Sequence, residues 1–102
     1  MNSATRNFLR KRAHHLKPVV MVGKQGADER ILRALDESLM AHELVKVRFQ
    51  DFHDEIRPIT ENLAASVGSV VVSIVGHIAI LYRQHPEASK RTIHIPKTLL
   101  ER

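Results

Sequence analysis

Apolar positions along this chain follow two rhythms, and the switches between them mark out seven elements. Residues 5–16 put Leu9, Ala13 and Leu16 on one stripe and Arg6, Arg10 and His14 on another, at the spacing of a helix that Pro18 closes. Val19 to Val22 is a short β-branched run between Pro18 and Gly23, too brief for a helix, and reads as a buried strand. From Asp28, a natural N-cap, the residues Ile31, Leu32, Leu35, Leu39 and Met40 recur every three or four positions, with Arg30, Arg33, Asp36 and Glu37 opposite them. Leu44 to Phe49 then alternates as a strand, with Lys46 and Arg48 on the solvated side of an edge or outer strand.

A third helix is expected from about Asp54 to Val67. Pro58 fits only its first turn, which sets the start near Glu55, and Gly68 supplies its stop. Val70–Val75 and Ile78–Tyr82 flank Gly76-His77, the Gly-X pair of a two-residue hairpin, and should pair antiparallel. Beyond Arg83 the chain turns polar, then offers an extended piece, Thr92 to Ile95, closed by Pro96; this tail is free to pack or to fray. The order α-β-α-β-α-β-β implies one compact α/β domain with a four-stranded mixed sheet and packed helices. It occupies residues 1–102, with a core at about 9–83 and a polar extension at 84–102.

Composition narrows the function more than the fold. The net charge is +5, and residues 1–26 contain Arg6, Arg10, Lys11, Arg12, Lys17 and Lys24 without one Asp or Glu. So one-signed an arm favours a polyanionic partner through long-range attraction and counterion release. There is no cysteine, which excludes disulfides and thiolate metal sites and suits a reducing cytoplasm. No apolar signal core follows Met1, and the apolar stretch around 70–82 is interrupted by Ser73, Gly76 and His77. A soluble, unexported protein without a membrane partner is expected.

Gly23-Lys24-Gln25-Gly26 is the sharpest local signal. Two glycines let a backbone turn tightly and approach a ligand, the following helix is expected to aim free N–H groups outward, and Lys24 adds a mobile positive charge. Phosphate is the matching ligand. An ordinary strand-to-helix turn would use the same glycines, so the reading depends on Lys24 and the basic arm beside it. The spacing of a nucleotide-binding P-loop is absent.

Other chemistry has little support. His14 and His15 are adjacent and point in different directions on a helix, and no second ligand set completes a metal site among the seven histidines. Asp51, His53, Asp54 and Glu55 lack a nucleophile beside them and read as a solvated loop. No enzyme activity, metal, cofactor or small-molecule substrate is expected. Four aromatics, Phe8, Phe49, Phe52 and Tyr82, cannot furnish both a core and an exposed stacking platform, so phosphate and sugar contacts should dominate.

Three separated segments together resemble a known family: Lys17-Pro18-Val19-Val20-Met21-Val22-Gly23-Lys24-Gln25-Gly26, Ala41-His42-Glu43-Leu44-Val45-Lys46-Val47, and Val75-Gly76-His77-Ile78-Ala79-Ile80-Leu81-Tyr82-Arg83. They look like the CRM (chloroplast RNA splicing and ribosome maturation) family, in its stand-alone bacterial YhbY type. The resemblance implies a fold similar to the C-terminal domain of translation initiation factor three and a GxxG loop similar to that of KH domains. It also implies RNA binding, with ribosomal RNA in precursors of the large subunit as the partner; plant relatives carry the domain in intron-splicing factors. Ala27-Asp28 departs from the apolar residue and Thr usual after the loop, and Asp28 sets a carboxylate beside the phosphate site, a modest salt-screened penalty.

The expected RNA-binding residues are therefore Gly23, Lys24, Gln25 and Gly26 in the loop, Arg6, Arg10, His14 and Lys17 along the first helix, and Arg30 and Arg33 on the second. The protein is expected to act in the cytoplasm, as a monomer. A nonspecific nucleic-acid binder and a module docking an acidic protein are the open alternatives.

Overall fold

A computed structural model of the chain describes residues 1–97. Its elements are α1 (Ser3–Ala13), β1 (Val20–Val22), α2 (Glu29–His42), β2 (Leu44–Phe49), α3 (Ile56–Val67), β3 (Val70–Val75) and β4 (Ile78–Tyr82), followed by a 3-10 turn at Ala88–Lys90. The strands form one mixed sheet in the order β1-β2-β4-β3. β1 runs parallel to β2, with Val20 opposite Val47, and β4 pairs antiparallel with both β2 and β3.

Each face of the sheet is covered differently. Val20, Val22, Val45, Val47, Phe49, Ala79 and Leu81 bury one face against Leu35 and Leu39 of α2 and Ile56, Leu63 and Ala64 of α3. On the other face α1 lays Leu9 and Ala13 over Leu44, Val72, Ile80 and Tyr82. A bulge between Val71 and Ser73 lets Val71 and Ile74, three residues apart, both turn toward α2 and α3 while Val72 packs under α1.

Local chemistry explains most boundaries. Asn2 caps α1 by accepting the Thr5 N–H at 2.8 Å, and Arg10, Lys11 and Arg12 complement the partial negative charge at its far end. Gly68, at φ 67°, stops α3, and the following Ser69 N–H donates to the Ala64 carbonyl. Gly76, at φ 58°, makes the β3–β4 turn.

Several expectations need correction. α1 ends at Ala13, not beside Pro18, because His14 N–H and Leu16 N–H close tight i→i−3 bonds to Lys11 and Ala13 carbonyls. Leu16 therefore leaves the apolar stripe and stands 39% exposed. Met40 is likewise exposed at 45%, while Leu35 and Leu39, with Ile31 and Leu32 packed beside them, fill the depth beneath α2. β2 lies inside the sheet, between β1 and β4, and is neither an edge nor an outer strand. Lys46 and Arg48 instead point to the half of the α1 face that the short helix leaves uncovered.

Residues 84–97 of the tail pack against the domain. Ile93 is buried beside Leu44 and Tyr82, Ile95 packs against that cluster, and His85 is buried. The last part of the expected extension, 98–102, lies outside the described residues.

Candidate nucleic-acid interface

The glycine loop joins β1 to α2 and is a closed turn: the Gly26 N–H donates to the Gly23 carbonyl at 3.0 Å, leaving Lys24 and Gln25 exposed at its tip. Gly26 has φ 74°, a conformation that side chains disfavour, and a Cβ there would lie 3.6 Å from the Phe52 ring. The loop thus rests on an aromatic plate. Phe52 is held in turn at φ 57°, with its N–H donating to Asp51 Oδ1 at 2.8 Å. Gly23 has no such constraint; a Cβ there would only touch Gln50 Oε1 at 3.8 Å.

The α2 N-terminus does not aim free donors outward as expected. Asp28 Oδ1 accepts the N–H groups of Arg30 and Ile31 at 3.1 and 3.2 Å, so two of the helix's first donors are consumed by its own cap. Asp28 Oδ2 also takes the Arg30 guanidinium, with Nη2 at 3.0 Å and Nε at 3.3 Å. The Arg30 guanidinium, followed by the Ile31 and Arg30 N–H groups, holds the Asp28 carboxyl below its ordinary range despite some desolvation. Any phosphate contact here falls to the loop backbone and Lys24. Arg33 is exposed farther along α2.

The basic residues of α1 divide between two flanks. Arg10 and His14, joined by Asn7, Lys11 and His15, line a groove of about 650 Å³ whose floor is Lys46, Val75, Ile78 and Ile80 of the sheet. Lys17 lies on the opposite flank, with Arg12 and Leu16, along a second groove of about 380 Å³. Arg6 is half-buried with its Nε enclosed. The structure therefore separates Arg6 and Lys17 from the pair Arg10 and His14.

Val75 and Ile78 also line the next depression, a cleft of about 530 Å³ bounded by Arg48, Gln50, His53 and His77. Gln50 in turn donates its N–H to the Val22 carbonyl at 2.9 Å, directly before the glycine loop. One continuous surface thus runs from the Arg10 flank of α1 across the uncovered sheet to the glycine loop, and it carries Lys11, Lys46 and Arg48 in addition to Arg10, His14 and the loop itself. The Lys46 ammonium is anchored on it by the Leu16 carbonyl at 2.9 Å. Lys11 was within reach of sequence reasoning, one residue from Arg10 on the same helix. Lys46 and Arg48 were not, because their exposure follows from strand order and from how little of the sheet α1 covers.

Among the described residues no group of three His, Asp or Glu is placed to hold a metal ion, and no helix is long and apolar enough to cross a membrane.

The model of the CRS1 / YhbY (CRM) domain matches residues 1–83. This chain belongs to the CRM domain family. Its relatives support the assignment. An RNA-binding protein of Haemophilus influenzae is 34% identical over 98 residues, spanning 95% of this chain and 96% of its own. The probable RNA-binding protein YqeI of Bacillus subtilis is 33% identical, spanning 89% and 94% of the two chains. The probable RNA-binding protein MJ0652 of Methanocaldococcus jannaschii is 36% identical over 90% of this chain and 70% of its own. The solution structure of protein SAV1595 from Staphylococcus aureus superposes on this CRM domain with a TM-score of 0.77 at 28% identity, covering 94% of this chain and all of that one. The family model's match stops at Arg83, whereas the Haemophilus influenzae relative aligns over 95% of this chain, so similarity continues into the packed tail.

Proposed function

We propose that this CRM domain binds RNA without performing chemistry on it, and that its partner is ribosomal RNA in precursors of the large ribosomal subunit, met in the cytoplasm during their maturation. The observation that carries the reading is the continuous basic surface from Arg10, Lys11 and His14 through Lys46 and Arg48 to the Gly23–Gly26 turn. The names of its relatives as RNA-binding proteins support the same partner class.

The mechanism is positional. Lys24 and the loop backbone hold one phosphate, Arg10, Lys11 and Arg48 hold others, and the open grooves, with basic side chains along their rims, accommodate a backbone more readily than they read base edges. Arg30 contributes less than its position suggests, because Asp28 already engages its guanidinium. Arg33, His14, Lys17 and Arg6 add general positive potential around the track. Specificity then comes from RNA shape and from the neighbouring components of the particle.

The test is binding of wild type and a Lys24→Asp/Gln25→Asp variant to a large-subunit RNA fragment and to duplex DNA across a salt series. Preference for the RNA with a steep salt slope, lost in a variant that still folds, supports the reading. Equal binding to both nucleic acids at matched salt would point to a nonspecific binder. Unchanged binding by the variant would remove the loop from the interface.

A further inference from the structure

His53 and His77 are stacked face to face, with ring centroids 3.7 Å apart and planes 11° from parallel. Both side chains are exposed, so the stack contributes nothing to the core. Both are also held by a single buried residue. The Phe49 N–H donates to the His77 carbonyl at 2.8 Å, and His53 Nε2 lies 2.9 Å from the Phe49 carbonyl, which can only accept, so that nitrogen carries the proton. The pair is thus ordered before any ligand arrives, which removes an entropic cost from binding.

We propose that this imidazole pair is a stacking platform for an unpaired RNA base, one step along the chain from the phosphate held by the glycine loop. The inference rests on the RNA-binding reading above and specifies how bases are met. Histidine rings serve in this way on other RNA-binding surfaces. The four aromatics are committed elsewhere: Phe49 and Tyr82 are buried, and Phe8 and Phe52 pack against the two cores. The other ring pair, His14 and His15, meets edge to face at 85° and presents no parallel stack.

The surroundings fit a nucleotide. The cleft of about 530 Å³ beside the platform is within the range of small-ligand sites. It brings the Arg48 guanidinium for a phosphate, the Gln50 amide for a base edge and the apolar sides of Val75 and Ile78. The Gln50 N–H also donates to the Val22 carbonyl at 2.9 Å, directly before Gly23, which sets base platform and phosphate turn next to each other.

The experiment uses the full chain and a short single-stranded RNA carrying 2-aminopurine, alone and annealed to its complement. His77→Ala keeps the backbone bond to Phe49 and is expected to weaken binding of the single strand about tenfold, within the range for loss of one base–aromatic stack, with no change in salt slope. Quenching of 2-aminopurine should be lost with it, duplex binding should be unchanged, and His77→Phe should restore both affinity and quenching. His53→Ala, which leaves the turn intact, should lose quenching in the same way and guards against misfolding of the first variant. Wild-type affinity and quenching in both alanine variants would overturn the platform; so would rescue by His77→Lys but not by His77→Phe, which would make the contact one of charge. The Lys24→Asp/Gln25→Asp variant separates the two readings: loss of its RNA binding sustains the phosphate loop whatever the histidine variants do.

Discussion

Glu43 Oε1 accepts the Thr92 N–H at 2.6 Å, across 49 residues of chain, and this bond anchors the tail on the domain. The same carboxylate takes the N–H groups of His85 at 2.6 Å and Ile93 at 2.8 Å and the Thr92 hydroxyl at 3.2 Å. Glu43 is fully buried and sits at φ 66°, a backbone strain that this set of bonds offsets. Glu43→Gln places an amide donor where N–H groups already point inward. It should lower stability by about 2–3 kcal/mol, the usual consequence of breaking bonds to a buried charge. Thermal unfolding and hydrogen exchange at the Thr92 and Ile93 amides check this; unchanged exchange at both would mean that the tail is held elsewhere.

The same residue sets an acid limit. Burial pushes the Glu43 carboxyl up, but the His85, Ile93 and Thr92 N–H groups and the Thr92 hydroxyl pull it further down, leaving it below its ordinary value of 4.5. A depressed carboxyl contributes stability that is complete above 4.5 and is lost as pH falls through the folded value. Asp28 acts in the same direction below 3.8. Stability should therefore hold from neutrality to about pH 5 and fall below it, and Glu43→Gln should flatten that fall. Tyr82 has the opposite sense: burial, then the nearby Glu43 charge, raise its phenol above 10.0, so its contribution is lost only as pH rises past that value. Denaturant titrations from pH 3 to pH 7 decide the acid limb, and equal slopes in wild type and variant would refute the assignment.

The two loop glycines should separate. Gly26→Ala forces a side chain into φ 74° and should destabilise by about 1–2 kcal/mol. Gly23→Ala has room and no strained φ, so its stability should stay within about 0.5 kcal/mol of wild type. If the backbone at Gly23 approaches a phosphate, that same variant will bind RNA several-fold more weakly while unfolding normally. Full affinity in Gly23→Ala would confine the need for glycine to Gly26.

Arg83 is basic but belongs to the scaffold. Its Nη1 donates to Asp36 Oδ1 at 2.7 Å and to the Val67 carbonyl at 2.8 Å, and its Nη2 to the Asp36 carbonyl at 3.0 Å, tying the end of α3 to α2. Lysine lacks this fork. Arg83→Lys should cost about 1–2 kcal/mol, and Arg83→Met about 2–3 kcal/mol, because the Val67 carbonyl and the Asp36 groups lose their donor. RNA affinity of the folded protein should not change in either, which a binding isotherm at low temperature would show.

What could be read beforehand was whatever local chemistry decides. The alternation of Leu44–Phe49, the stop at Gly68 and the Gly76-His77 turn each depend on a few adjacent residues, and each lies where the pattern put it. Long-range partners could not be read so. Glu43 looks like one more polar residue after a helix until the tail returns 42 to 50 residues later to bond it. The Asp28 cap was legible, yet its consequence, that two of the first α2 donors are taken, appears only when Oδ1 is seen on both N–H groups. His53 and His77 lie in separate loops, and only the ladder that sets Phe49 against His77 brings the rings together.

Arg48 offers the cleanest test of the uncovered half of the sheet, because its side chain is exposed and it sits at the edge of the cleft between α1 and the glycine loop. Lys46 is a poorer choice, since its ammonium also ties the Leu16 carbonyl. Arg48→Ala should leave unfolding nearly unchanged, because its register partners Met21 and Ile78 keep their ladder bonds. If Arg48 neutralises one phosphate, RNA affinity should fall several-fold at low salt and the slope of log K against log salt should decrease by about 0.7–0.9. A loss of affinity with the full slope would mean that Arg48 shapes the cleft around His77 without touching phosphate. No loss would move the RNA track to the opposite flank of α1, where Arg12 and Lys17 stand.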